Sequence, residues 1–196
     1  MPALAVLAPP AAHAHLVVTG MGPLYDGVSH FALSPEDFLP VIALGFSAGF
    51  RGPEQARALS CTAPLAWFAG GVLAMMNVAP GDIALSLATA VLFLVIGGSL
   101  AANRSIPIVA SAVVAIFLGL SRGMADFAEQ APSGANFTML FGTSAAIFVV
   151  CALAASVTLP LTRHWMIVTA RVCGSWIAAL GLLLVGWIFR YGPIAH

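Results

Sequence analysis

Apolar and polar positions alternate along this chain on the scale of whole segments, as long hydrophobic runs divided by short polar breaks. Five runs are clear, at about 58–76, 83–102, 106–120, 137–159 and 165–189, and a shorter sixth lies at 37–50. A helix rises ~1.5 Å per residue, so ~20 residues are needed to cross ~30 Å of hydrocarbon. The fourteen positions of 37–50 reach only ~21 Å on that rise. The run at 106–120 is also short and leads into the polar stretch SRGMADFAEQAPSGAN. Two short spans joined to polar segments predict a sunken polar site on one face, because such backbone is tolerated at membrane depth only within protein or a water cavity. The pattern therefore predicts an all-α polytopic membrane helix bundle of about six transmembrane helices over 37–196, with the first and fourth spans short.

Ahead of the spans, 15–36 reads as a turn-rich segment at the outer face and 1–14 as a signal peptide or an N-terminal tail. Ala12-His13-Ala14 fits the small-x-small cleavage pattern, and cleavage there leaves His15 as the new N-terminus. With six spans both termini share a side. If that side is outside, the inner loops carry Arg51, Arg57, Arg104 and Arg163, while Arg122 and Arg190 lie outside. The excess of inner arginines predicts an N-out protein of the inner (plasma) membrane. Asp26, Glu36, Asp37, Asp126 and Glu129 then share the outer face.

Composition strengthens the class and removes others. The chain is 61% hydrophobic and 7% charged, against about 25% charged in soluble domains, so membrane lipid is its surroundings. Its formal net charge is zero, so nothing points to nucleic acid. Cys61, Cys151 and Cys173 all fall inside apolar runs, which argues for small buried residues rather than disulfides.

The polar residues of the outer face carry the chemistry. Ser34-Pro35-Glu36-Asp37 is a helix-start signature, with serine at the N-cap, proline at the first helical position and acids at the positive end of the dipole. That accounts for Asp37 and part of Glu36. Tyr25-Asp26-Gly27 reads as a tight turn in which Asp26 bonds its own backbone. Neither reading accounts for His30. In Arg122-Gly123-Met124-Ala125-Asp126-Phe127-Ala128-Glu129, the charged residues stand at intervals of four and three, along one helix face. The plain reading is a solvated Arg122–Asp126 pair; the functional one is that Asp126 and Glu129, with Met124 nearby, face the outer end of a pathway. Histidine, carboxylate and thioether groups converging at one face suit a divalent transition metal.

These residues resemble the HupE/UreJ family, small membrane proteins associated with hydrogenase and urease accessory functions and proposed as nickel or cobalt permeases. The family's first-span motif, His-Pro-x-x-Gly-x-Asp-His, matches HFALSPEDFLPVIALG in spacing. His30 falls on the first histidine, Glu36 on the aspartate, Asp37 on the second histidine and Gly45 on a following glycine. The second motif, His-Gly-x-Ala-His-Gly-x-Glu, aligns with RGMADFAE. Arg122 and Asp126 stand for its two histidines, Met124 fills a position often histidine, and Gly123, Ala125 and Glu129 are kept. The resemblance implies a metal site drawn from His30, Glu36, Asp37, Asp126 and Glu129, with His15, Asp26 and Met124 as further ligands. It implies a divalent ion, nickel or cobalt, as substrate, no organic cofactor, and metalloenzyme maturation proteins as partners.

The rest of the chain supports packing and topology. Gly45–Gly49, Ala69–Gly71 and Gly142–Ala146 offer small surfaces for close helix approach. Asn77, Asn103 and Asn136 sit at span ends, and Arg171 is placed to snorkel to the inner interface. There is no phosphate loop. Ser144 has no base at matching depth, since His164 and His196 lie at span ends, so enzyme function is not expected. The reading is a six-span metal-ion permease, the alternative a non-transporting accessory or metal-sensing subunit for a metalloenzyme.

Overall fold

The computed structural model describes residues 20–78, 81–104, 106–130, 136–160 and 164–192, apart from the side chains of Glu129, His164 and Met166. The segment read as a leader, His15, Arg163 and His196 lie outside the described residues. Among the described residues seven helices follow one another: α1 Pro23–Leu33, α2 Pro35–Gly49, α3 Pro53–Met75, α4 Asp82–Ala101, α5 Ile108–Gln130, α6 Phe137–Thr158 and α7 His164–Tyr191. Helices α3 to α7 are long and apolar enough to cross a membrane, and α1 with α2 forms a bent pair that makes a sixth span if counted as one. The protein is a multi-pass membrane helix bundle.

The bend of 77° between α1 and α2 has a local cause. Pro35 opens α2 and has no N–H to continue the preceding helix, and the residue before a proline is pushed towards extended backbone. Ser34 takes that conformation, at φ −93° and ψ 100°, while its own N–H still closes α1 on the His30 carbonyl at 3.0 Å. Serine does stand at the N-cap of α2, but its side chain makes no capping bond.

Two expectations change. The stretch expected to be turn-rich is helical from Pro23, and the expected tight turn at Tyr25–Gly27 lies inside α1. Proline at the first helical position is pre-set for helix, and Gly27 serves packing rather than turning: a Cβ there would lie 2.2 Å from the Met139 carbonyl of α6. Reciprocally, a Cβ on Gly142 would lie 2.2 Å from the Leu24 carbonyl. The backbones of α1 and α6 touch, and Thr143 Oγ1 donates to the Gly27 carbonyl at 3.2 Å. The fourth span, in turn, is not short. Helix α5 continues for 23 residues through the polar stretch to Gln130, because other helices and its own backbone satisfy those side chains; Ser121, for example, bonds back to the Phe117 carbonyl at 2.7 Å.

Helices α2, α3, α5 and α4 form a ring in which α2 packs on α3, α3 on α5, α5 on α4 and α4 on α2, while the diagonal pairs barely meet. Helices α3 and α5 run parallel, tied near one end by Gln55 Nε2 to Ser111 Oγ at 2.7 Å. Helix α6 closes one side of the ring and carries α1, and α7 packs along α4. Val41, Leu44, Phe93, Ile96 and Leu118 of α2, α4 and α5 belong to the buried apolar core. Leu183 and Phe189 of α7, 70% and 84% exposed, are lipid-facing positions in such a bundle. At helix ends, Asn136 accepts from the Met139 N–H, Asn77 and Asn103 adopt positive φ, and Arg171 Nε donates to the Ala101 carbonyl at 2.8 Å.

Candidate metal centre

Helix order brings one polar end of the ring together. The break at Ser34 turns the end of α1 back over the start of α2, which sets His30 beside Asp37. Helix α5 ends at the same level, with Arg122 and Asp126 one turn apart on its inward face. His30, Asp37 and Asp126 each offer a ligand atom, and these atoms all lie within 4.8 Å of one another. All three residues are buried, at 7%, 1% and 3% exposure.

The contacts are specific. His30 Nε2 lies 2.7 Å from Asp126 Oδ1. Trp67 Nε1 of α3 donates to the other oxygen, Oδ2, at 3.3 Å, and Gln130 Nε2 donates to Oδ1 from one turn further along α5. Arg122 is itself buried and reaches Asp37 with two nitrogens, Nε and Nη2, each 2.6 Å from Oδ1. Its Nη1 donates to Thr89 Oγ1 of α4 at 3.3 Å, and Thr89 passes its own proton to the Leu85 carbonyl at 3.0 Å. Phe31 stacks edge-on to Trp67 and Phe38, with centroids 6.2 and 5.8 Å apart, forming an apolar wall beside His30.

The solvated Arg122–Asp126 pair expected from their spacing does not form. Arg122 is drawn to Asp37 on another helix, where the two buried charges compensate each other; an unpaired charge there would be far more costly. The remaining residues singled out in the sequence are placed differently. Glu36 stays half exposed, with Oε1 3.9 Å from Arg122 Nη2, beside the three-residue group rather than in it. Asp26 lies one turn before His30 on α1, half-buried and also outside that group. Met124 is two positions from both Arg122 and Asp126, a spacing that turns it to another face of α5. Glu129 is on α5, its side chain outside those described, and His15 lies outside the described residues.

Trp67, Thr89 and Gln130 escaped the sequence reading. Gln130 had a signal, since it stands four positions after Asp126 on one helix face. Trp67 and Thr89 come from other helices and looked like ordinary span residues.

Chemically, the group joins an imidazole nitrogen to two carboxylates, a donor set suited to borderline and hard divalent ions. Two donors at ~2.1 Å from one ion, cis to each other, stand ~3 Å apart. The His30–Asp126 contact at 2.7 Å is therefore close to that spacing, and an ion would replace the proton between them.

A family model described as HupE / UreJ protein matches residues 3–184. Among curated proteins and solved structures, none matches the chain significantly.

Proposed function

The chain belongs to the HupE/UreJ family, and from that premise we propose that it is a permease for a divalent transition-metal ion, nickel or cobalt, taken up from the outer face at His30, Asp37 and Asp126. The family is one of nickel or cobalt accessory and transport membrane proteins. The observation that carries the reading is the convergence of three buried ligand atoms from α1, α2 and α5 within 4.8 Å. Ionisable groups inside a membrane bundle are costly and mark ion pathways when they face its interior. From that site the ion passes down the axis of the four-helix ring. A membrane potential negative inside favours entry by ~2.3 kcal/mol per charge per 100 mV.

The test is nickel and cobalt accumulation in cells lacking their own importer. Expression of the wild type raises accumulation, and the His30→Ala/Asp126→Ala variant returns it to background. Equal accumulation by the variant and the wild type counts against this site.

One observation favours a second reading, a non-transporting accessory or metal-sensing subunit. The ring's helices bury the apolar side chains of Val41, Leu44, Phe93, Ile96 and Leu118 in their core, and these side chains offer an ion no ligand. That reading expects metal binding without flux and co-purification with a metalloenzyme maturation partner.

A further inference from the structure

Resting on the cluster as a cation site, the position of Arg122 has a consequence beyond charge compensation. Its guanidinium occupies Oδ1 of Asp37 through two nitrogens at 2.6 Å, and Asp37 is one of three residues whose ligand atoms converge within 4.8 Å. A fixed cation thus sits on a donor that an incoming cation needs. A second carboxylate waits beside it: Glu36 Oε1 is 3.9 Å from Nη2, on a side chain 43% exposed. Glu36 and Asp37 are consecutive in the first turn of α2, so the guanidinium can pass from one to the other by rotating its side chain, with no helix displaced.

Coulomb energy decides which ions displace it. A monovalent ion brings no more charge to Asp37 than the guanidinium already does, and loses the directed N–H contacts. A divalent ion doubles the attraction at equal distance, and gains the His30 nitrogen and the Asp126 carboxylate as well. We propose that Arg122 is a tethered competitor that sets the charge selectivity of the site: only a cation of charge two or more displaces it from Asp37, and Glu36 receives the released guanidinium. In this arrangement Glu36 acts through Arg122 and is not itself a ligand.

The test is equilibrium binding of nickel(II) to the full chain in detergent, with and without excess sodium, in the wild type, Arg122→Gln, Glu36→Gln and the double variant. Removing the competitor is expected to tighten nickel binding about ten-fold or more and to make it sensitive to sodium. Glu36→Gln is expected to weaken binding several-fold when Arg122 is present and to change nothing when it is absent. If Arg122→Gln does not give folded protein, Arg122→Lys, which keeps the charge but loses the planar fork, is expected to show a smaller gain of the same sign.

Unchanged or weaker binding in folded Arg122 variants overturns the proposal. So does a Glu36→Gln loss of equal size in both backgrounds, which would make Glu36 a direct ligand. Binding by Arg122→Gln but not by the wild type supports the competitor and counts against the permease reading. Binding by neither overturns both.

Discussion

Arg122 and Asp37 stand 85 positions apart in the sequence and meet in a buried contact with two nitrogens 2.6 Å from one carboxylate oxygen. They belong to α5 and α2, which face each other across the ring with little direct packing. The diagonal is therefore closed at its polar end by charge. Such a pair is a poor source of net stability but a strong constraint, because neither partner tolerates being left alone in the interior.

Asp37→Asn removes one charge and leaves the buried guanidinium with only the half-exposed Glu36 as a counter-charge. The loss is expected to be ~3–5 kcal/mol, the usual result of breaking a buried pair from one side. Adding Arg122→Gln should recover most of it, since the double variant leaves neither half of the pair without its partner. Unfolding midpoints of the purified variants in detergent check this. A double variant no more stable than Asp37→Asn would mean that the pair does not compensate as described.

Gly142→Ala tests whether α1 positions His30. The new methyl would meet the Leu24 carbonyl at 2.2 Å, so α1 must move away from α6. Overpacking of this kind costs ~1–3 kcal/mol, and the shift carries His30 away from Asp126. Nickel binding is expected to fall with every cluster residue intact. Full affinity in folded Gly142→Ala would show that α1 does not set the site's geometry.

How far this was legible in the sequence follows the range of each interaction. Span number followed from run length alone, and motif spacing singled out His30, Glu36, Asp37, Asp126 and Glu129, of which His30, Asp37 and Asp126 converge among the described residues. The helical state of Pro23–Leu33 was hidden because proline and glycine there signal a turn, while the reason for Gly27 lies on α6. The length of α5 was hidden because Arg122 looked like the end of a span until its partner on α2 was known. Trp67 and Thr89 had no local signal: each differs from other span residues only in what faces it across the ring.

Trp67 makes the site observable. It is fully buried and donates to Asp126, whereas Trp165, Trp176 and Trp187 are 60%, 70% and 53% exposed. Nickel(II) bound at the cluster is expected to quench the Trp67 component of the emission, and Trp67→Phe to abolish that saturable change. Because Trp67 orients a ligand rather than binding the ion, Trp67→Phe is expected to weaken nickel about ten-fold. Quenching that persists in Trp67→Phe would place the bound ion elsewhere.

The same ion pair bears on which side of the membrane is expected to hold the cluster. Arg122 is neutralised inside the bundle, so it no longer counts as a loop charge at that end, where Arg190 remains. Among the described residues, the opposite end carries Arg51, Arg57 and Arg104. Arginine excess marks the cytoplasmic side, so the cluster is expected on the outer face. Helix α1 packs on the start of α6, so Met21 just before it belongs to the cluster's end. In a background with Cys61, Cys151 and Cys173 replaced by alanine, Met21→Cys is expected to react with a membrane-impermeant maleimide on intact cells. Arg57→Cys, at the start of α3, is expected to react only after permeabilisation. The reverse pattern would put His30, Asp37 and Asp126 on the cytoplasmic face and make uptake from outside through this site untenable.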